Sequence, residues 1–249
     1  MDLGIAGRKA AVAASSAGLG LGTAKALAEA GVQVALCSRD RGRVEAAAAA
    51  LPGEGHVPLV ADVSDAAGGK AFVEAAVEAL GEVDILICNA GGPSPGTFGT
   101  KSPDDFPSAL DLNLMSTVGM CYAAAPAMRE RGWGRVVAIT SISVRQPISN
   151  LILSNTSRAG VTGFLKSVAI EIAGDGVTVN TIQPGIHLTD RLGQLDKGGR
   201  EAMARSIPTG TLGDAEDFGR AAAFLCSTSA RFITGASLNV DGGAYQALQ

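Results

Sequence analysis

Ser154 and Arg158 stand four residues apart in the stretch SNTSRAG, residues 154–160. That spacing is one turn of a helix, so the two side chains share a face. A serine hydroxyl gives and accepts hydrogen bonds but is a poor acid, and a guanidinium keeps its charge at any ordinary pH. Together they can hold a ligand's hydroxyl groups and stabilise developing negative charge, and neither is suited to hand over a proton. His187 follows Pro184 and Gly185 closely. Its imidazole titrates near neutrality, and both a proton donor and a solvated loop histidine fit that position. The only tyrosines, Tyr122 and Tyr245, are expected inside a core helix and near the C-terminus, away from such a pair.

A second group of residues suits an anion. The stretch ASSAGLGLG, residues 14–22, follows an apolar run and leads into a helical pattern. Gly18 and Gly20 would let a pyrophosphate approach the backbone of Ser16, Ala17, Gly18, Leu19 and Gly20, and the helix N-terminus would supply N–H groups and a positive dipole end. The turn alone fits three uses: a dinucleotide site, a site for S-adenosylmethionine, or a tight strand-to-helix connection. The end of the next strand discriminates. An NAD-type site places Asp or Glu there, whereas this chain has Ser38 and Arg39. A guanidinium matches the geometry and charge of the 2′-phosphate of NADP, so NADP(H) is expected rather than NAD(H); a solvated arginine opening the RDRGR loop is the alternative. Arg41 and Arg43 are expected to face solvent.

The elements that must position these residues follow from periodicity. Short apolar, β-branched runs at 9–13, 32–37, 56–60, 83–88, 134–140, 177–182 and 237–240 alternate with helical stretches near 20–30, 41–50, 66–80, 104–131, 151–173 and 214–227. Such alternation predicts an α/β fold, a doubly wound sheet of seven parallel strands with helices on both faces. Val161, Phe164, Leu165, Val168 and Ile172 form an apolar stripe expected to face the core. A chain of 249 residues is long enough to bury roughly 70–75% of its unfolded surface. Residues 1–249 are therefore read as one domain, with a candidate lid at about 188–212.

Composition narrows the partners. Hydrophobic residues make up 47% of the chain and charged ones 18%, and 20 basic against 24 acidic residues leave a net charge of −4. That balance gives no electrostatic footprint for nucleic acid or an anionic membrane, and favours a small-molecule partner. The start, MDLGIAGRKA, has no long apolar region and no run of 18 apolar residues occurs, so a cytoplasmic, soluble protein is expected. Cys37, Cys88, Cys121 and Cys226 form no paired motif, so they read as buried free thiols and no metal site is expected.

GLG at 18–20, DV at 62–63, NAG at 89–91, Asn113, Ser141, Pro184 and Gly185 with Thr189, and NVDGG at 239–243 occur in the order found in the short-chain dehydrogenase/reductase family. The chain resembles that family over essentially its whole length, and its 3-oxoacyl-[acyl-carrier-protein] reductase-like members in particular. The resemblance implies a Rossmann-like fold. It places Asp62 and Val63 near the adenine, Asn89, Ala90 and Gly91 on the cofactor floor, and Pro184, Gly185 and Thr189 at the nicotinamide end. It makes Asn113 and Ser141 catalytic, and implies a homotetramer, for which the alanine-rich helices at 104–131 and 151–173 are suited to pairing across two-fold axes.

The pattern breaks twice. The family's turn usually reads TGxxxGxG, and here Ala13 and Ala14 take its first two places. The turn is then expected to avoid positive φ at Ala14. Family members also usually carry Tyr-x-x-x-Lys thirteen residues after the catalytic serine, where this chain has Ser154 and Arg158. The lysine's role there is to hold the nicotinamide ribose and lower the tyrosine's pKa; Arg158 is expected to take over the ribose and Ser154 not to act as the acid. The resemblance thus implies an NADP(H)-dependent oxidoreductase acting on a carbonyl or secondary alcohol, with a 3-oxoacyl thioester among the candidates. The alternative is a catalytically weakened nucleotide-binding or regulatory protein on the same fold. Substrate choice is expected to rest on the lid and on ISVRQPISN, residues 142–150, where Arg145 could meet an acidic substrate or pair on the surface.

Overall fold

The β-branched runs pair as the periodicity predicts. The computed structural model describes residues 2–189 and 196–248. Strands β1 (Lys9–Val12), β2 (Gln33–Ser38), β3 (Val57–Val60), β4 (Ile85–Cys88), β5 (Gly134–Ile139), β6 (Val177–Pro184) and β9 (Ser237–Val240) form one sheet in the order β3-β2-β1-β4-β5-β6-β9. Every neighbouring pair is parallel. Central strands are buried on both faces, which is why β4, ILIC, reads as a continuous apolar run rather than an alternating one.

Helices α1 (Gly18–Glu29), α2 (Arg41–Ala49) and α8 (Ala215–Cys226) cover one face with a core of Leu27, Leu36, Ile87 and Phe218. Helices α3 (Ala66–Leu80), α5 (Ser116–Glu130) and α6 (Ile152–Ile172) cover the other, with a core of Phe72, Met120, Met128 and Leu165. This is the Rossmann-like doubly wound architecture. Its strand order reverses between β1 and β4, so a crevice opens at the carboxyl ends of those strands, where such folds bind ligands.

Several local expectations change. The expected helix at 104–131 is broken into a 3₁₀ turn (Pro103–Asp105), the short helix α4 (Phe106–Leu110), a π-helical turn (Asp111–Met115) and α5. Tyr122 is not in the core but 73% exposed. In α6 the buried stripe is Val161, Leu165, Ala169 and Ile172, while Phe164 and Val168 are half-buried on the edge of a groove shared with α5. The short strands β7 (His187–Leu188) and β8 (Gly213–Asp214) pair in parallel at the two ends of the expected lid. Between them lies α7 (Lys197–Arg205), which Asp196 caps through its carboxylate to the Gly199 N–H at 2.7 Å. The part of the lid at 190–195 lies outside the described residues. All four cysteines are buried and unpaired, and burial pushes the Cys37 and Cys226 thiols up to about 12.

Candidate active site

A cleft of about 670 Å³ runs along the carboxyl ends of the strands, within the range usual for small-molecule sites. At one end lies the glycine-rich turn. Helix α1 begins at Gly18 after Ala17, with no side chain capping its first turn and no acidic residue in it. By contrast α2, α3, α7 and α8 are each capped by an aspartate. The open N-terminus of α1, with Ala17, Gly18, Leu19 and Gly20 on the cleft wall, fits the pyrophosphate of a dinucleotide.

The turn is held by long-range hydrogen bonds. The Asn89 amide donates to the carbonyls of Ala13 and Ala14 at 3.2 and 3.1 Å, and the Ala14 N–H donates to Cys37 Sγ at 3.2 Å. These contacts fix Ala14 at φ +46°, against the expectation that an alanine there would avoid positive φ. An L-residue in that conformation costs about 1–2 kcal/mol, so the turn keeps its shape despite the missing glycine. Gly20 has no such latitude. A Cβ there would lie 2.7 Å from the Ala14 carbonyl and 2.8 Å from the Asn89 amide, so any side chain would push the helix off the turn.

At the other end stand Ser141, Ser154 and Arg158, joined by Asn89, Ala90, Gly91, Pro184, Gly185 and Thr189. Thr189 reaches the glycine turn, its Cγ2 lying 3.6 Å from where a Gly18 Cβ would be. Arg158 donates from Nε to Ser154 Oγ at 3.2 Å, the contact that the four-residue spacing predicts. It also donates to the carbonyls of Ile139 (3.0 Å), Thr140 (3.2 Å) and Gly91 (3.4 Å). The guanidinium therefore ties α6 to the end of β5 and to the 89–91 turn while presenting its charge to the cleft. Ser141 Oγ accepts from the Ser143 N–H at 3.1 Å, capping a short 3₁₀ turn, Ile142–Val144.

Asn113 sits in the π-helical turn and is 3% exposed. Its amide nitrogen donates to the Gly91 carbonyl at 2.9 Å and its oxygen accepts from Ser157 Oγ at 2.9 Å. It is absent from the cleft wall, and these two bonds brace the 89–91 turn against α6. The π turn redirects this side chain, a common use of such turns.

Other expected residues lie elsewhere. Ser38 and Arg39 end β2 on the same sheet edge as the glycine turn; Arg39 is exposed and neither lines the cleft. Ser16 is half-buried beside the turn, Asp62 is exposed, and Val63 is buried in the core with Phe72 and Val73. Arg43, expected to face solvent, is exposed but forms part of the cleft wall near Gly18. His187 turns away from the cleft. Its Nδ1 lies 3.3 Å from the Gly185 carbonyl and its ring meets Phe218 edge-on at 5.1 Å. Burial, outweighing the Gly185 carbonyl and the nearby Asp214 and Asp241, holds its pKa below the ordinary histidine value. Arg145 is exposed, donating to the Ser237 carbonyl at 3.4 Å with its guanidinium 5.8 Å above the Tyr245 ring. Sequence reasoning missed Pro93, Asn150, Leu151 and Met203 on the wall; ISVRQPISN contained one of them, Asn150, without any pattern to mark it.

Comparisons with known proteins agree with this geometry. A family model described as enoyl-(acyl carrier protein) reductase matches residues 13–245. Nodulation protein G of Azospirillum brasilense is 36% identical over 182 residues, 73% of this chain and 74% of that one. The 3-oxoacyl-[acyl-carrier-protein] reductase of Escherichia coli is 33% identical over 187 residues, 75% of this chain and 77% of that one. Among solved structures, L-sorbose reductase from Gluconobacter frateurii complexed with NADPH and L-sorbose matches with a TM-score of 0.92 at 29% identity, covering 100% of both chains. A 3-oxoacyl-[acyl-carrier-protein] reductase from Agrobacterium tumefaciens with NADP bound matches with a TM-score of 0.90 at 34% identity, covering 97% of this chain and 95% of that one.

Proposed function

The chain belongs to the short-chain dehydrogenase/reductase family, as a 3-oxoacyl-[acyl-carrier-protein] reductase-like member, and from that premise we propose that it is an NADP(H)-dependent oxidoreductase acting on a carbonyl or secondary alcohol, with 3-oxoacyl thioesters among its candidate substrates. The observation that carries this reading is the single cleft joining the uncapped N-terminus of α1 to Ser141, Ser154 and Arg158. When bound, the nucleotide supplies the hydride. Gly18 to Gly20 seat its pyrophosphate, and Gly185 and Thr189 face its nicotinamide end. Ser141 and Ser154 hydrogen-bond the reacting oxygen, and Arg158 adds positive potential and reaches the ribose. The described part of the lid, 196–212, brings Met203 to the cleft wall and covers the acceptor, and the whole chain works as one domain.

Arg39, exposed just beyond the carboxyl end of β2, and Arg43, on the cleft wall near the glycine turn, favour NADP over NAD, because each offers a guanidinium suited to the adenosine 2′-phosphate. Titration of both reduced nucleotides by their fluorescence is expected to give tighter NADPH binding. Arg39→Ala should remove at least about 1.5 kcal/mol of that preference, the worth of one charge-assisted hydrogen bond. Equal affinities in the unaltered protein would refute the assignment.

The absence of an acid among the described residues of the cleft wall is what favours the second reading, a nucleotide-binding protein with little or no turnover. NADPH binding without consumption across a panel of ketones and 3-oxoacyl thioesters would select it.

A homotetramer in the cytoplasm completes the reading. The groove between α5 and α6, lined by Tyr122, Pro126, Phe164 and Val168, is an apolar face that a second copy would cover. Light scattering should give four times the chain mass of 25.0 kDa. A monomer at micromolar concentration would refute it. Among the described residues no helix is long and apolar enough to cross a membrane.

A further inference from the structure

A second cavity, of about 420 Å³, opens at the amino ends of β5 and β6, the end of the sheet opposite the cleft. Arg135, one residue into β5, and Thr178, one residue into β6, are partners there in the parallel register. Both belong to the sheet face that α8 covers, since side chains alternate along a strand and Val137, Ile139 and Ile182 pack into that core. Arg135 is 3% exposed and Thr178 5%. Trp133, Val177 and the exposed Arg231 and Phe232 also line the cavity, and among the described residues no Asp or Glu does.

A buried cation is ordinarily met by a carboxylate. Among the described residues Arg135 meets only carbonyls: Nη1 donates to Gly134 and Gly176 at 2.8 and 3.3 Å, Nε donates to Ser227 at 3.4 Å, and Nη2 makes no hydrogen bond. The neighbouring carboxylates are already engaged, Asp84 by Arg8 and Arg131 at 3.4 and 3.7 Å and Asp175 by Arg129 at 2.6 Å. Arg135 instead shares the Trp133 ring with a second cation, the two guanidinium groups of Arg135 and Arg8 standing 4.4 and 3.9 Å from its centroid. Burial foremost, together with the Arg8 charge, holds the Arg135 pKa below the ordinary arginine value. Beside it, Thr178 Oγ1 is buried with no partner at all. The other threonine hydroxyls of the wall are occupied: Thr228 Oγ1 donates to the Leu3 carbonyl at 3.3 Å, and Thr234 Oγ1 accepts from the Val179 N–H at 3.1 Å.

We propose that this cavity is a binding site, separate from the cleft, for a small organic carboxylate with an apolar body. Arg135 Nη2 and Thr178 Oγ1 each donate to one carboxylate oxygen, a charge-assisted pair that satisfies two groups the fold leaves without partners. Arg231 adds positive charge at the mouth, where the side chain is exposed. The apolar body lies against Trp133 and Val177 and under Phe232, whose ring is 98% exposed in the chain alone. Phosphate suits the site less well. Two free donors match the two oxygens of a carboxylate and leave a third phosphate oxygen unmet, and the aromatic walls offer a bare inorganic ion nothing.

Trp133 is the chain's single tryptophan, so its fluorescence reports on this cavity and not on the cleft. The probe is octanoate, added to the full chain without nucleotide. It should change the Trp133 emission saturably and raise the melting temperature. It should bind at least about tenfold more tightly than octanol, which has the same chain without the charge, and more tightly than inorganic phosphate. Thr178→Val keeps the shape of the side chain and removes a hydroxyl that has no partner. The ligand-free variant should therefore melt no lower than the unaltered protein, while its affinity for octanoate should fall at least about tenfold, as for a lost hydrogen bond to a charged group. No saturable change in emission, equal binding of octanol, tighter binding of inorganic phosphate, or an octanoate affinity unchanged in Thr178→Val overturns the proposal.

Discussion

Ser154→Tyr combined with Arg158→Lys is expected to raise reduction of a saturated ketone by about 10²–10⁴-fold, the usual worth of general acid catalysis. The two positions are already neighbours: Arg158 Nε lies 3.2 Å from Ser154 Oγ on one face of α6, and both side chains line the cleft. A phenol at 154 would therefore stand beside an ammonium at 158. That charge favours the phenolate and so lowers a pKa that is ordinarily about 10. The cleft of about 670 Å³ leaves room for the ring. The exchange costs some of the bonds from Arg158 to the Ile139, Thr140 and Gly91 carbonyls, so thermal melting must accompany the kinetics. An unchanged rate in a folded variant with normal NADPH affinity would show that more than the acid is missing.

Ser141→Ala is expected to lower reduction of any acceptor by about 10²–10³-fold, the loss measured when one oxyanion donor is removed. NADPH affinity should not change, because the pyrophosphate and the 2′-phosphate are held at the opposite end of the cleft. The variant also removes the acceptor of the Ser143 N–H, which costs about 1 kcal/mol, as for other N-caps. Ser154→Ala should lower the rate less, by under about tenfold, since Ser141 and the Arg158 charge remain and water can enter the vacated space. Comparable losses in the two variants would place Ser154 alongside Ser141 as a principal donor.

What could be read from the sequence follows the range of the forces involved. The seven strands and most helices were legible because β-branched runs and alanine-rich stretches of helical period are local signals. Helix α7, KGGREAMAR, was not, since two glycines lower its intrinsic propensity and only its cap argues for it. Ala14 was misjudged because a local preference was applied to a residue whose φ is set by Asn89 and Cys37, both remote in sequence. The same holds at the site. The Ser154–Arg158 contact follows from helical spacing, but the carbonyls that Arg158 also binds come from two other segments. The π turn that buries Asn113 and takes it off the cleft wall has no sequence mark at all. Arg43 lies within the first turn of α2, and its approach to the glycine turn depends on how that helix is set on the sheet.

The central claim is that this cleft promotes hydride transfer through fixed hydrogen-bond donors and a permanent charge, with no titrating side chain among its described residues. Its most direct test is the pH dependence of single-turnover NADPH oxidation, measured by stopped flow with a 3-oxoacyl thioester at saturating nucleotide from about pH 6 to 9. Because the only ionisable groups among the described residues of the wall are Arg43 and Arg158, which stay protonated throughout, the rate should be flat across that range. A rate that rises or falls tenfold per pH unit over any part of that range would reveal a proton-transferring group in the site and contradict the account.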